Sequence, residues 1–215
     1  MDYRNIILEK RQQVAWVTMN RPDALNALND GLIADLLSAI AEIQADEKMR
    51  LMVLRGAGRA FCSGADLKNF AKEGGYHFGG LVPAMEAIAK LDKPVIAAVH
   101  GYAVTGGFYL AVACDLVVAE EGAEFMETHA RWGLVPRSGE AQMLNRLLGP
   151  MKAKQVVLTS DRISAEEARQ LGLVYRVAPK GKLEAVVEEV VAKLLGQSQF
   201  SLAGVKTLMN QGVRA

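Results

Sequence analysis

Apolar residues form short strand-like runs separated by longer helical spacings through the first half of the chain. Apolar-rich runs at 13–19, 51–54 and 95–99 predict strands, and the unbroken apolar character of the second and third is typical of a parallel sheet covered on both faces. Between the first two runs, leucine and isoleucine recur every three or four residues over 28–43, which predicts an amphipathic helix. Since the same order recurs over 95–119, the sequence predicts an α/β fold with right-handed crossovers.

Four segments with helical spacing follow in the second half, at 143–148, 151–158, 165–171 and 183–195. In the last of them an apolar stripe lies opposite glutamate and lysine, so this helix is expected to pack on another surface. The stripe consists of Leu183, Val186, Val187, Val190 and Leu194. No low-complexity linker, charge run or fixed-period repeat divides the sequence, which favours a single domain.

Composition narrows the function classes without naming one. A chain of 215 residues fits one large domain, which buries roughly 70% of the surface that its unfolded form exposes. With 25 Lys and Arg against 24 Asp and Glu, the net charge of +1 gives no reason to expect binding to nucleic acid or to a membrane surface. Cys62 and Cys114 lie in apolar segments, which favours reduced core thiols over a disulfide or a zinc site. The charged start and the lack of a membrane-length apolar run predict a soluble, cytoplasmic protein.

Two glycine-bearing segments carry the candidate chemistry: FCSGADLK at 61–68 and HGYAVTGG at 100–107. Each follows a predicted buried strand. Glycine permits positive φ and close backbone approach, so such strand exits are suited to presenting a bare backbone N–H to a ligand oxygen, as in an oxyanion hole. Tight turns are the alternative interpretation for either segment taken alone.

Four further motifs accompany the glycine segments along the chain. They are NRPDALNAL at 20–28, KPVIAAVHG at 93–101, ACDL at 113–116 and LTSDRISAEEA at 158–168. Taken in this order, the motifs resemble those of the crotonase family, the enoyl-CoA hydratase/isomerase proteins. The resemblance extends from about Val14 to about Val177 and so covers most of the chain.

This resemblance implies an α/β crotonase (ClpP-like) spiral of repeated ββα units over 1–195, and over 196–215 the start of a C-terminal helical, trimerisation region that is shorter than in the family. It also implies an acyl-CoA thioester as substrate, with coenzyme A as part of the substrate and no separate cofactor. The thioester enolate would be held by the N–H groups of Ala65 and Gly106. A homotrimer or a dimer of trimers is expected, because the family associates by threes and the stripe on 183–195 leaves apolar surface that one subunit would cover poorly.

Two positions depart from the family pattern where the mechanism depends on them. Tyr109 stands where hydratases carry a first glutamate, and His129 stands where they carry a second. Hydration needs an acid and a base of separated pKa, so isomerisation, C–C hydrolysis or cleavage, or decarboxylation is favoured over hydration. Histidine titrates near neutral pH and suits a base, whereas a tyrosine hydroxyl suits a hydrogen-bond donor. The alternative is that Tyr109 is a helix core residue and His129 a satisfied buried histidine.

Further candidates rest on the same resemblance, which places residues 24–25 and 63–68 near the CoA moiety. Arg137 is a candidate for recognising an anionic acyl group. Glu140 is a reserve acid, or a first-turn acid that complements a helix dipole. A glycine-rich stretch at 74–80 is expected to form a mobile loop near the ligand. The candidate CoA and substrate residues are Ala24, Leu25, Ser63, Asp66, Leu67, Lys68, Arg137 and Glu140.

Two other function classes stay open at this point. One is a non-catalytic acyl-CoA-binding protein that retained the pocket and lost the acids. The other is a serine hydrolase that uses Ser63 or Ser138 near His129, although neither serine lies in a Gly-x-Ser-x-Gly elbow. Turnover of CoA esters separates the first from the enzyme, and reaction with a serine-directed phosphonate tests the second.

Overall fold

A six-stranded sheet lies at the centre of the computed structural model, which describes residues 2–66, 80–136 and 139–212. The strands are β1 (Ile6–Arg11), β2 (Val14–Met19), β3 (Leu51–Gly56), β4 (Val95–Val99), β5 (Tyr102–Val104), β6 (Leu116–Glu120), β7 (Glu124–Met126), β8 (Ile163–Ser164) and β9 (Arg176–Ala178). The helices are α1 (Asp30–Ala45), α2 (Leu81–Lys90), α3 (Gly106–Val112), α4 (Glu140–Thr159), α5 (Ala165–Gln170), α6 (Leu183–Leu195) and α7 (Gln199–Gly212), with short 3₁₀ turns at Pro22–Ala24 and His129–Trp132.

The central sheet has the strand order β1-β2-β3-β4-β6-β9. Strand β1 is antiparallel to β2, and every other neighbouring pair is parallel. The three predicted strand runs correspond to β2, β3 and β4, and β2 and β4 are buried along their whole length. Right-handed α/β crossovers require such a parallel arrangement, so the predicted fold class agrees with the sheet.

A second, three-stranded sheet of order β5-β7-β8 builds the repeated unit. Each of β4 and β6 is followed by a short strand of this sheet and then by helical structure. The segment after β3 follows the same course, because Cys62 forms a parallel bridge with Ala103 of β5. The chain therefore repeats a β-β-α unit, and each repeat brings a strand exit to the same side of the molecule.

The core has two parts, one on each face of the central sheet. Helices α1 to α5 cover one face. On the other face, α6 contacts β4, β6 and β9, and four of its valines share a buried cluster with sheet residues such as Trp16, Val53 and Ile96. Those valines are Val186, Val187, Val190 and Val191. The apolar stripe predicted on 183–195 is thus covered by the sheet of the same chain, and it gives no argument for a trimer.

Helix α4 contains the break between two of the predicted helical segments. Gly149 has φ 73° and ψ 163°, outside the helical region, and Pro150 follows it. Proline cannot donate to the helix ladder and restricts the residue before it, so the two halves meet at a kink. The segments predicted at 143–148 and 151–158 are therefore the two halves of α4.

Polar contacts attach α7 to the rest of the molecule. The buried Lys206 ammonium donates to Asp115 Oδ2 at 2.7 Å, to the Ile88 carbonyl at 2.9 Å and to the Lys93 carbonyl at 3.1 Å. Burial raises the pKa of Asp115, although Lys206 and the Val95 N–H oppose that rise. The outer side of α7 carries exposed apolar side chains, namely Phe200, Val205, Leu208 and Met209.

Among the helices that the structure describes, none is long and apolar enough to cross a membrane.

Candidate active site

The two glycine-bearing segments pack against each other. A Cβ on Gly64, which has φ +91°, would lie 2.8 Å from the Val104 carbonyl oxygen and 3.6 Å from the Gly106 nitrogen. A Cβ on Gly106 would lie 2.9 Å from Leu28 Cδ1 and 3.7 Å from Gly64 Cα. Only glycine allows backbones to pass at these separations. The strand exits predicted to cooperate are therefore neighbours in space.

The N–H of Ala65 faces away from the chain segment beside it. Ala65 forms a parallel bridge with Leu28, in which the Leu28 N–H donates to the Gly64 carbonyl at 2.8 Å and the Asp66 N–H donates to the Leu28 carbonyl at 2.9 Å. In such a bridge the middle residue directs its own N–H to the opposite side. Within residues 2–66, 80–136 and 139–212 this N–H has no acceptor, so it can donate to a ligand.

The N–H of Gly106 belongs to the first residue of α3 and has no intrahelical acceptor. The carbonyl of the same peptide unit, that of Thr105, accepts from the Tyr109 N–H at 2.9 Å. Because the C=O and N–H of a trans peptide point in opposite directions, the Gly106 N–H points away from the helix. The described part of the chain offers it no acceptor either. That both N–H groups meet on one oxygen stays a prediction.

Thr105 has an unusual backbone conformation beside this donor. Its φ of 47° and ψ of −106° are rare for a β-branched residue. Its N–H donates to the Met126 carbonyl at 2.7 Å, and its hydroxyl lies 2.6 Å from the Thr128 hydroxyl. Such strain persists only where the surroundings fix the backbone. The contacts thus tie the start of α3 to the segment that carries His129.

Tyr109 and His129, predicted to face the acyl group, lie side by side. Their ring centroids are 6.5 Å apart, and the rings are tilted by 37°. Tyr109 is fully buried, and its hydroxyl has no hydrogen-bond partner among the described residues. Burial and then the charges of Glu127 and Glu140 raise the pKa of Tyr109, although Glu127 does not reach hydrogen-bonding geometry with the hydroxyl. The hydroxyl is therefore protonated at neutral pH and available as a donor.

Glu127 is the functional candidate that sequence reasoning missed. Its side chain is fully buried, Oε1 contacts His129 Nδ1, and Oε2 accepts from the His129 backbone N–H at 3.3 Å. A strand period of two was the available clue, since Glu127 follows the buried Phe125 by two residues and is directed to the same side. Glu140 is also buried, at the start of α4. The site thus holds two carboxylates, an imidazole and a phenol.

Three of the candidate CoA residues, Ala24, Leu25 and Ser63, lie together. The Ser63 N–H donates to the Leu25 carbonyl at 3.0 Å, and the Ser63 hydroxyl donates to the Ala24 carbonyl at 3.5 Å. Asp66 accepts from Arg21 Nη2 at 2.9 Å, with both side chains largely buried, so Asp66 is paired and is not an exposed turn charge. The candidates Leu67, Lys68, Arg137 and Ser138, and residues 74–79 of the predicted loop, lie outside the described residues.

Comparison with known proteins shows which family the chain belongs to. The family model described as enoyl-CoA hydratase/isomerase matches residues 9–215. A probable peroxisomal enoyl-CoA hydratase of Arabidopsis thaliana is 36% identical over 215 residues, which are 98% of this chain and 80% of that protein. The structure of an enoyl-CoA hydratase subunit from Geobacillus kaustophilus superposes with a TM-score of 0.93 at 33% identity, covering 100% of this chain and 84% of that one.

A monofunctional enoyl-CoA isomerase from M. smegmatis superposes with a TM-score of 0.85 at 31% identity, covering 99% of this chain and 95% of that one. The chain thus has the crotonase fold of an acyl-CoA-processing protein. The chain belongs to the enoyl-CoA hydratase/isomerase (crotonase) family.

Proposed function

We propose that the protein is an enzyme that polarises the carbonyl of an acyl-CoA thioester with the N–H groups of Ala65 and Gly106 and stabilises the enolate that forms. The observation that carries this proposal is the packing of Gly64 against Gly106, which brings together the two segments that bear these N–H groups; neither N–H has an acceptor in the described chain. Preorganised donors of this kind stabilise developing negative charge better than water does. CoA is then part of the substrate, and no separate cofactor is needed.

Proton transfer on that enolate is assigned to His129 and Tyr109. His129 takes a proton from the acyl chain or returns one to it, and Tyr109 donates a hydrogen bond to the developing anion. Isomerisation, C–C cleavage and decarboxylation all proceed through this intermediate. They are the reactions that the sequence favours, because the resemblance places Tyr109 and His129 at the positions of the two hydratase glutamates.

Hydration of an enoyl-CoA is the second candidate, and the buried Glu127 and Glu140 favour it. The sequence favours other reactions because Tyr109 and His129 stand at the expected glutamate positions, yet Glu127 and Glu140 are both buried, and their charges contribute to the raised pKa of Tyr109. A water molecule added across a double bond needs an acid and a base, and such a pair can supply both. Several relatives are themselves named hydratases.

A panel of CoA esters tests the proposal and separates its branches. Loss of the conjugated-thioester absorbance of crotonyl-CoA reports hydration, and its appearance from a 3-enoyl-CoA reports isomerisation. Release of carbon dioxide from a malonyl-type ester reports decarboxylation. Calorimetric binding of butyryl-CoA without turnover of any ester would instead favour the non-catalytic binding protein, and labelling by a serine-directed phosphonate would favour the hydrolase.

The Tyr109→Phe variant is expected to lower kcat about 5- to 10-fold, since a net hydrogen bond contributes about 1 kcal/mol. The dissociation constant of butyryl-CoA should stay within about twofold, because the lost bond forms chiefly to the enolate. Tyr102→Phe on β5, whose tyrosine is exposed, is the matched control. Unchanged kcat in Tyr109→Phe would return Tyr109 to a packing role.

A homotrimer or a dimer of trimers is proposed for the assembly, and we propose a cytoplasmic location for the protein. Exposed apolar side chains on the outer faces of α4 and α7 support association. They include Leu147, Met151 and Leu158 on α4 and Phe200, Leu208 and Met209 on α7. Light scattering should give three or six times the subunit mass at all concentrations above the dissociation constant. A monomer mass independent of concentration would contradict the assembly.

A further inference from the structure

The buried carboxylate of Glu127 contacts the ring of His129, the proposed base. We propose that Glu127 is a positioning residue, which holds His129 in the tautomer with hydrogen on Nδ1 and so leaves Nε2 as the proton acceptor. This inference rests on the proposed function for the step that Nε2 performs. It applies to each reaction in which His129 exchanges the proton, whichever acyl group is bound.

The tautomer follows from the chemistry of the contact. An ionised carboxylate only accepts hydrogen bonds, so the Nδ1 atom in contact with Glu127 Oε1 must carry the hydrogen. In a neutral imidazole the second nitrogen then has the lone pair, which makes Nε2 the base. Glu127 thus determines which nitrogen of the His129 ring carries the hydrogen. Among the described residues, the ring contacts no second carboxylate.

Glu127 is buried, so His129 is important as a partner for its charge. The Glu127 side chain is 0% exposed, and in the described chain His129 is its one basic partner within ion-pair distance. When Nε2 accepts a proton, the imidazolium and the carboxylate neutralise each other inside the protein. An unpaired buried charge is costly, and the Glu127 carboxylate offsets the positive charge that forms on the ring during turnover.

The backbone around the pair limits reorientation. Oε2 of Glu127 also accepts from the His129 N–H, so the carboxylate is fixed at two points. Thr128, between them, is tied to Thr105 through its hydroxyl at 2.6 Å and its N–H at 3.2 Å. Since the Thr105 peptide carries the Gly106 N–H, the proposed base and one proposed oxyanion donor share a single anchor.

The test compares Glu127→Gln with Glu124→Gln, a nearby carboxylate on β7 that pairs with Arg162 at the surface. Ring ¹⁵N shifts distinguish histidine tautomers, and the chain has three histidines, so assignment is direct. We expect the Nδ1–H tautomer for His129 in the parent protein and in Glu124→Gln. In Glu127→Gln the amide offers both a donor and an acceptor, and a substantial Nε2–H population should appear.

Turnover should follow the tautomer. Loss of a residue that orients a catalytic imidazole costs roughly 10²-fold in kcat, between the values for outer-shell partners and for a triad carboxylate. The dissociation constant of butyryl-CoA should stay within about threefold, and Glu124→Gln should match the parent. A merely structural role for Glu127 would lower stability without changing the tautomer or separating kcat from binding.

Three results would overturn the assignment: an Nε2–H tautomer in the parent protein, parent-level kcat in a folded Glu127→Gln, or an unchanged tautomer in that variant. If Glu127→Gln does not fold, the spectrum of the parent protein alone decides the tautomer. A parent protein with the Nδ1–H tautomer but no activity on any CoA ester would refute the proposed function, while the orienting contact would stand.

Discussion

The His129→Gln variant is expected to lose about 10²–10⁴-fold in kcat, the usual contribution of a general acid–base group. Glutamine keeps a side-chain N–H that can donate to Glu127, so the buried carboxylate retains a partner and the fold is preserved. It lacks a nitrogen that exchanges a proton near neutral pH. Steady-state kinetics on whichever CoA ester is turned over, together with calorimetric binding of butyryl-CoA, measure the effect.

Binding should change little in this variant, because the proposed carbonyl donors are backbone groups of Ala65 and Gly106. His100→Gln is the matched control, since His100 Nε2 contacts the Gly58 carbonyl at 2.9 Å and lies outside the proposed machinery. That control should retain parent activity. Parent-level activity in His129→Gln would move the base to Glu140, Glu127 or water.

Much of the fold could be predicted because its determinants are local. The run at 13–19 corresponds to β2, and the helical spacing over 28–43 corresponds to α1. In each, the spacing of the apolar residues predicts which side chains are buried in the core. Strand β1 was not predicted. It is an edge strand with only Ile6 buried, so its sequence carries almost no apolar alternation.

The partner of an amphipathic face is not encoded in the face itself. The stripe on 183–195 was correctly placed on one side of a helix, but an apolar stripe fits the sheet of its own chain as well as a second subunit. The valines of α6 are covered because α6 lies against β4, β6 and β9 of the central sheet. That relation depends on the topology of the whole chain.

The candidate site also has parts that could be predicted from the sequence and parts that could not. The role of the two glycine segments could be predicted, because glycine itself permits the positive φ seen at Gly64 and the close packing seen at Gly64 and Gly106. Glu127 could not be assigned a role, because a carboxylate just after a short strand is usually solvated, and the role of this one depends on its burial beside His129. Chemistry that rests on a side-chain environment needs the structure.

Gly107 gives the sharpest test of how the two strand exits are held together. A Cβ at this position would collide with the Cys62 backbone carbonyl and lie 2.7 Å from Cys62 Cβ. Cys62 cannot move away freely, since its N–H donates to the Tyr102 carbonyl and its carbonyl accepts from the Val104 N–H. The Gly107→Ala variant must therefore shift α3 away from the segment that precedes Ala65.

Overpacking against rigid backbone costs at the upper end of the usual range, about 3 kcal/mol of the free energy of unfolding. For a domain of this size the melting temperature should fall by roughly 6–12 °C. Gly204→Ala in α7 is the matched control, because a Cβ there meets nothing within 4 Å. Alanine is the better helix former, so the control should gain up to about 1 kcal/mol. Urea denaturation followed by circular dichroism measures the free energy of unfolding of both variants, and a thermal scan gives the melting temperature.

In Gly107→Ala, kcat should fall by more than the loss of folded protein would explain. If the Ala65 and Gly106 N–H groups act on one oxygen, moving α3 by a few tenths of an ångström lengthens one of the two hydrogen bonds, and losing an oxyanion donor costs up to about 10²–10³-fold in kcat. The comparison is made well below the melting temperature, where the variant is folded. Parent-level kcat in a destabilised Gly107→Ala would mean that the two exits are packed for stability alone, and the paired donors would then have no catalytic role.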